Sequence, residues 1–254
     1  MKKKLIPLFL LIFAILFSFS SCKNDGRVIF LLYHNIAESE IPEGLDPEYT
    51  VTAEKFKSDI EYLVENGYKS ISTEMYINGE YSKRRNYFVI TFDDGYMSNY
   101  TLAYPYLLEN KLYADIFVCT GNEYLDNHFS WEQGRQMENS GFVTLYSHTE
   151  YHTALFSFIT ENDYCDYLDT VNKGYEDIKN NTQREHLKIM SYPQSEYNEM
   201  TARLLYDDGY LIQFIQILPE GYGYSFNAED YGLVRRYSIG SYTEISDVLE
   251  GIYD

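Results

Sequence analysis

Residues 86–96 read "NYFVITFDDGY" and set the architecture expected for this chain. The first seven are mostly apolar and rich in β-branched and aromatic residues, which is typical of a parallel strand covered on both faces. The strand leads directly into Asp93 and Asp94, and Gly95 then permits a sharp turn. Because neighbouring side chains diverge at a strand end, the two carboxylates can serve different partners, one a metal and one a proton.

The same Asp-Asp-Gly sequence recurs at residues 207–209, within "LLYDDGY", and provides an internal control. There it follows Met200, Leu204 and Leu205 at helical spacing, so Gly209 is expected to end a helix and the acids to be solvated. The position after a buried strand, rather than the tripeptide itself, therefore carries the functional information.

The remainder of the chain alternates between strand and helix patterns. Strands are expected at residues 28–33, 68–72, 114–120, 141–147, 187–192, 210–217 and 233–239, and helices at 52–66, 98–109, 131–139, 161–179, 196–207 and 244–252. Such alternation predicts βα units that build either a barrel or a doubly wound sheet. With no linker or long repeat to divide it, the chain is expected to form one domain over residues 27–254.

The first 21 residues are predicted to be an export signal. "MKKK" precedes an apolar run from Leu5 to Phe19, which at ~1.5 Å per residue is too short to cross a ~30 Å hydrocarbon core. Cys22 follows Ser20 and Ser21 and resembles the acylated cysteine of a bacterial lipobox, with a plain secretory signal as the alternative. The expected location is the cell envelope, with the chain anchored to a membrane by lipid.

The charge balance excludes some classes of partner. The net charge is -19 before maturation and about -22 once Lys2, Lys3 and Lys4 are removed with the signal. Such an acidic chain is unsuited to binding nucleic acid or an anionic lipid surface directly. A neutral or cationic partner fits better, and we expect a monomer. Cys119 and Cys165 are expected to be packed thiols rather than parts of a disulfide framework.

Two further strand ends carry histidine. "GFVTLYSHTEYH" places His148 and His152 four residues apart after a strand, a spacing that suits joint ligation of zinc from one side of a helical turn. In an α/β barrel all strand carboxyl ends open on one face, so Asp94 could join this pair and leave a fourth position for water. "VIFLLYHNI" ends another buried strand at His34, which is either a structural histidine or a titratable group of the same site.

"TFDDG" followed by "SHTEYH" resembles the first two motifs of the polysaccharide deacetylases with NodB homology, carbohydrate esterase family 4. The similarity continues through "ENGYKSIS", "SWEQ" and "YPQSEYN" and covers nearly all of the mature chain. The resemblance implies a distorted (β/α)7 barrel that removes acetyl groups from sugars. It also implies Asp93 as the catalytic base and Asp94, His148 and His152 as ligands of a divalent metal, most commonly Zn²⁺.

The catalytic acid of this family is usually a histidine near the C-terminus, but no histidine follows His186 here. "LLYHNI" resembles the Tyr-His strand end of the permuted branch that contains the poly-N-acetylglucosamine deacetylases, which makes His34 the candidate acid. The implied substrate is an acetylated polysaccharide, and N-deacetylation of a polymer containing N-acetylglucosamine is expected. A non-catalytic sugar-binding lipoprotein and a small-molecule amidase are the alternatives.

The chain also departs from the usual family pattern. In "SYPQS", Ser191 stands where an arginine that orients the base is usual. We hypothesise that Arg235 or Arg236 in "LVRRYSI" supplies that cation, with a structural pair as the alternative. Tyr192, Pro193 and Gln194 are the substrate or oxyanion candidates, since a backbone N–H can serve an oxyanion with any side chain. By analogy, Trp131 is expected to line the acetyl pocket.

Overall fold

The fold is known from a computed structural model that describes residues 26–121, 126–154, 161–217 and 231–251. The predicted signal at residues 1–21 and Cys22 lie outside the described residues. The strands are β1 (Val28–Tyr33), β2 (Asn35–Ala37), β3 (Thr50–Thr52), β4 (Lys69–Ser70), β5 (Tyr87–Asp94), β6 (Ala114–Val118), β7 (Val143–Ser147), β8 (Ile189–Ser191), β9 (Ile212–Gln216) and β10 (Leu233–Ser238).

Seven of these strands close a parallel barrel. Neighbours pair in the order β1, β5, β6, β7, β8, β9 and β10, and β10 pairs back onto β1. The short strand β4 extends the sheet from β5, while β2 and β3 form a separate parallel pair beside the barrel. The distorted (β/α)7 barrel implied by the resemblance is thus confirmed.

Helices cover the outside of the barrel. They are α1 (Ala53–Glu65), α2 (Thr73–Ile77), α3 (Tyr104–Asn110), α4 (Trp131–Asn139), α5 (Glu161–Thr182), α6 (Glu199–Asp207) and α7 (Ile245–Glu250), and a π-helical turn at Asn99–Ala103 precedes α3. Thr52 caps α1 by accepting a hydrogen bond from the Lys55 backbone N–H at 3.1 Å. The second Asp-Asp-Gly ends α6 with Gly209 at φ 93°, as its helical context predicted.

Side chains alternate between the barrel interior and the layer beneath the helices. On β5, Phe88, Ile90 and Phe92 belong to the hydrophobic core under the helices. The intervening residues of this strand therefore face the interior, which places Thr91 and Asp93 inside the barrel. Aromatic rings fill the interior below them, with the centroids of Phe117 and Phe214 5.3 Å apart.

This packing decides where chemistry can occur. Because the strands are parallel, their carboxyl ends share one mouth, and the ends of β1, β5 and β7 lead to His34, Asp94 and His148 respectively. The aromatic interior closes the barrel beneath, so these groups line a bowl rather than a pore.

The two described cysteines differ in burial. Cys119 is buried as expected, but Cys165 is exposed, so the prediction that both thiols are packed is wrong for Cys165. It lies on the solvent side of α5. The helical spacing of the sequence did not determine which face of this helix packs against the barrel. Within the described residues, none of the helices combines the length and apolar character needed to cross a membrane.

Candidate active site

A cavity of about 760 Å³ occupies the mouth of the barrel. Its walls include five of the predicted site residues with titratable side chains: His34, Asp93, Asp94, His148 and His152. Strand ends supply all of these except His152, which follows β7 by a short loop. The fold therefore brings together side chains that are far apart in the sequence but lie at or just after the ends of three strands.

Asp94, His148 and His152 form a potential metal centre. One ligand atom from each lies within 4.8 Å of the others. The Nε2 atoms of His148 and His152 are each 3.5 Å from Asp94 Oδ1. His148 Nδ1 lies 2.9 Å from the Ser191 carbonyl oxygen, so it carries the proton and leaves Nε2 free as a ligand. Two imidazoles and one carboxylate suit a divalent cation such as zinc.

The local backbone explains how these groups converge. Asp94 adopts φ 73° and Gly95 φ 86°, which turns the Asp94 carboxylate away from the direction that an extended strand would give it. Thr149 and His152 also have positive φ values, of 66° and 53°. The expectation that the histidine pair shares one side of a helical turn is therefore wrong, because left-handed residues in a loop bring the rings to a centroid separation of 5.0 Å.

Asp93 forms a different partnership from Asp94. Arg236 donates two hydrogen bonds to it, from Nη1 to Oδ1 and from Nη2 to Oδ2, both at 2.7 Å. The Ser191 hydroxyl donates to Asp93 Oδ2 at 2.9 Å and accepts from Arg236 Nη2 at 2.6 Å. Thr91 Oγ1 accepts from Arg236 Nη1 at 3.1 Å. The Asp93 carboxylate is thus fixed in orientation by a guanidinium from β10 and a hydroxyl from β8.

The electrostatics of Asp93 follow from this pair. Burial on its own would raise the pKa of Asp93, but Arg236 and, to a lesser extent, His148 outweigh it and hold the pKa well below its usual range. The guanidinium is itself enclosed, with its central carbon 5.3 Å and 5.2 Å from the ring centroids of Phe117 and Phe214. Asp93 is consequently an ionised acceptor at neutral pH.

Of the two arginines proposed from the sequence, only Arg236 reaches the site. It is fully buried, whereas Arg235 is exposed on the opposite side of β10. Successive residues of a strand face opposite sides, so one of the pair had to point outward.

His34 lines the cavity beside these groups. Its ring packs edge-on against Tyr49 with centroids 5.0 Å apart, and its backbone carbonyl accepts a hydrogen bond from Asn99 Nδ2 at 2.8 Å. Burial lowers the pKa of His34, and the negative charges of Asp93 and Asp94 offset part of that effect. Its protonated form is therefore a stronger acid than a free imidazolium.

The turn after β8 forms another wall. Tyr192 and Gln194 line the cavity, together with Ser195, whereas Pro193 is buried and is not among the lining residues. Gln194 and Ser195 adopt left-handed φ values of 55° and 54°, and Ser195 Oγ accepts a hydrogen bond from the Gln216 backbone N–H at 2.9 Å. This bond ties the turn to the end of β9 and fixes the edge of the cavity.

Trp131 is placed differently from the sequence-based expectation. It begins α4 after the Ser130 cap and packs, partly buried, against the hydrophobic core, and it does not line the cavity. A tryptophan at the first position of a helix can pack against the core without reaching the barrel mouth. The motif did not indicate in which direction this side chain points.

Sequence reasoning missed Thr91, Tyr49 and Tyr96, and it gave Ser191 no role at the site. Ser191 and Thr91 bind the Asp93–Arg236 pair, and Tyr49 packs on His34. Tyr96 also lines the cavity, and burial together with its hydrogen bond to Asp94 raises the pKa of Tyr96 well above its usual value. For Thr91 a signal was available, since it precedes Asp93 by two positions on the same strand and must face the same side.

The sequence of this chain matches a known protein family. The profile described as "Polysaccharide deacetylase" matches residues 80–212. The Bacillus subtilis (strain 168) protein YxkH is 26% identical over 191 residues, covering 74% of this chain and 64% of that protein. The poly-beta-1,6-N-acetyl-D-glucosamine N-deacetylase of Escherichia coli (strain K12) is 28% identical over 141 residues, covering 48% of this chain and 20% of that protein. The chain thus spans less than two thirds of the length of either relative.

Solved structures agree on the fold. The Streptococcus pyogenes deacetylase PplD in complex with acetate superposes with a TM-score of 0.73 at 18% identity, covering 88% of this chain and 96% of that one. IcaB from Ammonifex degensii superposes with a TM-score of 0.71 at 20% identity, covering 91% and 99%. The sequence match at residues 80–212 spans more than half of the chain and contains Asp93 together with all three residues of the potential metal centre. The chain accordingly belongs to the polysaccharide deacetylase family, a family of hydrolases.

Proposed function

We propose that this protein removes acetyl groups from an acetylated polysaccharide. The observation that carries the proposal is the division of labour between two adjacent carboxylates in one cavity. Asp93 is held by Arg236 and Ser191, while Asp94 faces His148 and His152. A positioned base beside a potential metal centre is an arrangement that can hydrolyse an amide or an ester.

The three residues of the potential metal centre suit Zn²⁺, which we propose as the ion. When bound there, such an ion supplies Lewis-acid chemistry, stabilising negative charge and lowering the pKa of water from about 15.7 towards about 7. The tautomer of His148 set by the Ser191 carbonyl supports this assignment, because it directs the lone pair of Nε2 towards Asp94.

Asp93 is proposed to accept the proton of the attacking water. Its two oxygens are both engaged by Arg236, which keeps the carboxylate ionised and fixes the direction of its remaining lone pairs. Arg236 is thereby a positioning residue that takes the place of the arginine missing at Ser191. Acting through Asp93, it need not touch the substrate.

His34 is proposed to donate a proton to the departing nitrogen, because an amide nitrogen leaves poorly as an anion. The Gln194 backbone N–H, at the cavity wall, is proposed to donate a hydrogen bond to the oxygen that gains negative charge. The products are acetate and a free amino sugar. The named activity of the Escherichia coli relative supports a polymer of β-1,6-linked N-acetylglucosamine as substrate.

We also propose that the protein is an exported monomer whose Cys22 carries a lipid anchor. The support is the basic start, the short apolar run and the small residues that precede Cys22. An anchored enzyme of this kind would act on polysaccharide at the cell envelope.

Acetate release tests the proposed reaction. The zinc-loaded protein should release acetate from β-1,6-linked N-acetylglucosamine oligomers. His34→Ala should lower the rate by on the order of 10² to 10⁴ while retaining its metal, because a general acid is lost but no ligand. His148→Ala should lose the metal itself. Acetate is measured enzymatically and zinc by elemental analysis.

Asp93→Asn is the control for acetate that arises without the proposed base. Loss of zinc from His34→Ala would show that His34 is a ligand rather than the acid. Full metal content in His148→Ala would remove that residue from the metal centre. Wild-type protein that binds the oligomers yet releases no acetate would favour a non-catalytic sugar-binding protein instead.

The Asp93–Arg236 pair generates a prediction for stability and rate together. Arg236→Gln leaves a buried carboxylate without its cation and should lower the free energy of unfolding by about 3–5 kcal/mol. It should also lower kcat by on the order of 10²-fold, since the base is no longer held. Arg235→Gln is the matched control and should change stability by less than about 0.5 kcal/mol. Urea unfolding and acetate release measure the two effects.

Adding Asp93→Asn to Arg236→Gln removes both charges and should recover part of the lost stability. If the double variant is less stable by the sum of the two single effects, the pair contributes no coupling and Arg236 does not position Asp93.

Lipid attachment is tested by Cys22→Ser. Expressed in a bacterium with lipoprotein processing, the parent chain should fractionate with membranes and incorporate labelled palmitate, whereas Cys22→Ser should do neither. Equal membrane retention and labelling of both chains would contradict the proposed anchor.

A further inference from the structure

Three consecutive basic residues lie at the end of the barrel opposite the mouth. Lys83, Arg84 and Arg85, here called the basic turn, precede the first residue of β5 and are all exposed. β5 then runs eight residues from this end to Asp94 at the mouth. At about 3.3 Å per residue, the two ends of the strand are roughly 25 Å apart. The basic turn is therefore well separated from the active-site cavity.

The start of the described chain packs directly against the basic turn. The Gly26 backbone N–H donates to the Lys83 carbonyl at 2.6 Å, and the Arg27 backbone N–H donates to Asn86 Oδ1 at 3.0 Å. A Cβ atom on Gly26 would overlap the Arg85 carbonyl group, so a residue without a side chain is needed for this close approach. The chain thus enters the barrel beside the basic turn.

This contact limits where a lipid on Cys22 can lie. Cys22 precedes Gly26 by four residues, and a chain spans at most about 3.6 Å per residue. The Cα atom of Cys22 is therefore within about 14 Å of that of Gly26, whatever path the chain takes. A membrane that holds this residue by an acyl chain would lie at the end of the barrel that carries the basic turn.

The positive charge of the basic turn is available to a partner. Among the described residues, none of its three cations forms an ion pair with a carboxylate. Lys69 adds a fourth exposed cation beside it, since its backbone N–H donates to the Asn86 carbonyl at 3.1 Å. Glu80 is the nearest acid in the sequence, and its carboxylate accepts a hydrogen bond from Asn78 Nδ2 at 3.3 Å.

The mouth carries the opposite charge. Residues 38–48, "ESEIPEGLDPE", follow β2 and contain five carboxylates, all exposed, and no cation. Asp46 of this segment lines the active-site cavity. The net charge of -19 predicts repulsion from an anionic surface, but salt at about 0.1 M screens charges over about 10 Å. The groups nearest to such a surface therefore decide whether it is attractive.

We infer that the basic turn binds the anionic headgroups of the membrane to which the chain is anchored. Lysine and arginine donate charge-assisted hydrogen bonds to phosphate, and a basic patch beside a lipid chain is a second attachment signal. The contact directs the acidic mouth away from the membrane and towards the polysaccharide. This assignment rests on the proposed anchor at Cys22 for the presence of the membrane.

Sedimentation with vesicles tests the inference. Residues 23–254, which contain the whole described barrel and carry no acyl chain, are mixed with vesicles of phosphatidylcholine or of a two-to-one mixture with phosphatidylglycerol. Each basic residue near an anionic surface contributes about fivefold in affinity, and the acidic remainder of the chain opposes this gain. The anionic vesicles should therefore bind about tenfold more tightly. Raising the salt from about 0.05 M to about 0.5 M should abolish the difference.

Combining Lys83→Gln, Arg84→Gln and Arg85→Gln should remove the preference for anionic vesicles. Zinc content and acetate release from soluble oligomers should stay at the wild-type level, because these residues are remote from the mouth, and both show that the variant is folded.

The matched control combines Lys57→Gln, Lys173→Gln and Arg203→Gln, which removes the same charge from exposed positions on α1, α5 and α6. It should keep the preference. An equal loss in both triple variants would mean that overall charge, and not the basic turn, governs binding, and would overturn the inference.

Equal binding of both vesicle types by the wild-type chain would also overturn the inference. So would binding of soluble polygalacturonate without binding of vesicles, since the basic turn would then serve an acidic glycan. Vesicle binding through the basic turn without acetate release would contradict the proposed reaction and leave the basic turn standing. Acetate release without a preference for anionic vesicles would do the opposite.

Discussion

The buried ion pair between Asp93 and Arg236 is the interaction on which the rest of the site depends. It joins β5 to β10 inside the barrel, and Ser191 of β8 completes it. Removing two charges from water carries a large cost, which is offset only when the pairing is close and the remaining hydrogen bonds are satisfied. Here both carboxylate oxygens are engaged at 2.7 Å, and the guanidinium lies between two aromatic rings. The pair therefore fixes which of two adjacent aspartates can turn outward.

That constraint separates the roles of neighbouring residues. With Asp93 held inward, Asp94 takes a left-handed backbone conformation and presents its carboxylate to His148 and His152. Left-handed residues recur around the mouth at Thr149, His152, Gln194 and Ser195. Non-glycine residues in this region of backbone space are costly and tend to occur at functional sites, where the surrounding structure holds them. The barrel supplies that support through its strand ends and through ties such as Ser195 to Gln216.

The alternation of strands and helices predicted parallel βα units, and the choice of a barrel over a doubly wound sheet came from the family resemblance. Given a barrel, Asp94, His148 and His152 could be grouped because the strand ends share one mouth. The resemblance, rather than the pattern, assigned His34 to the same site. The sequence could not choose between Arg235 and Arg236, since the phase of β10 depends on which neighbours its side chains meet. The helical-turn geometry expected for the histidines was wrong because three-dimensional packing favoured left-handed loop residues. Trp131 was misplaced because a motif carries no information about the direction in which a helix start faces.

The most direct test of the account is a crystal structure of the protein with Zn²⁺, with the ion located by anomalous scattering. The account predicts one ion at about 2.0–2.2 Å from Asp94, His148 and His152 through one atom of each. Asp93 should remain paired with Arg236, free of the ion. An ion coordinated by Asp93 with the arginine pair broken, or an ion bound away from the two histidines, would contradict the division of roles between the two aspartates.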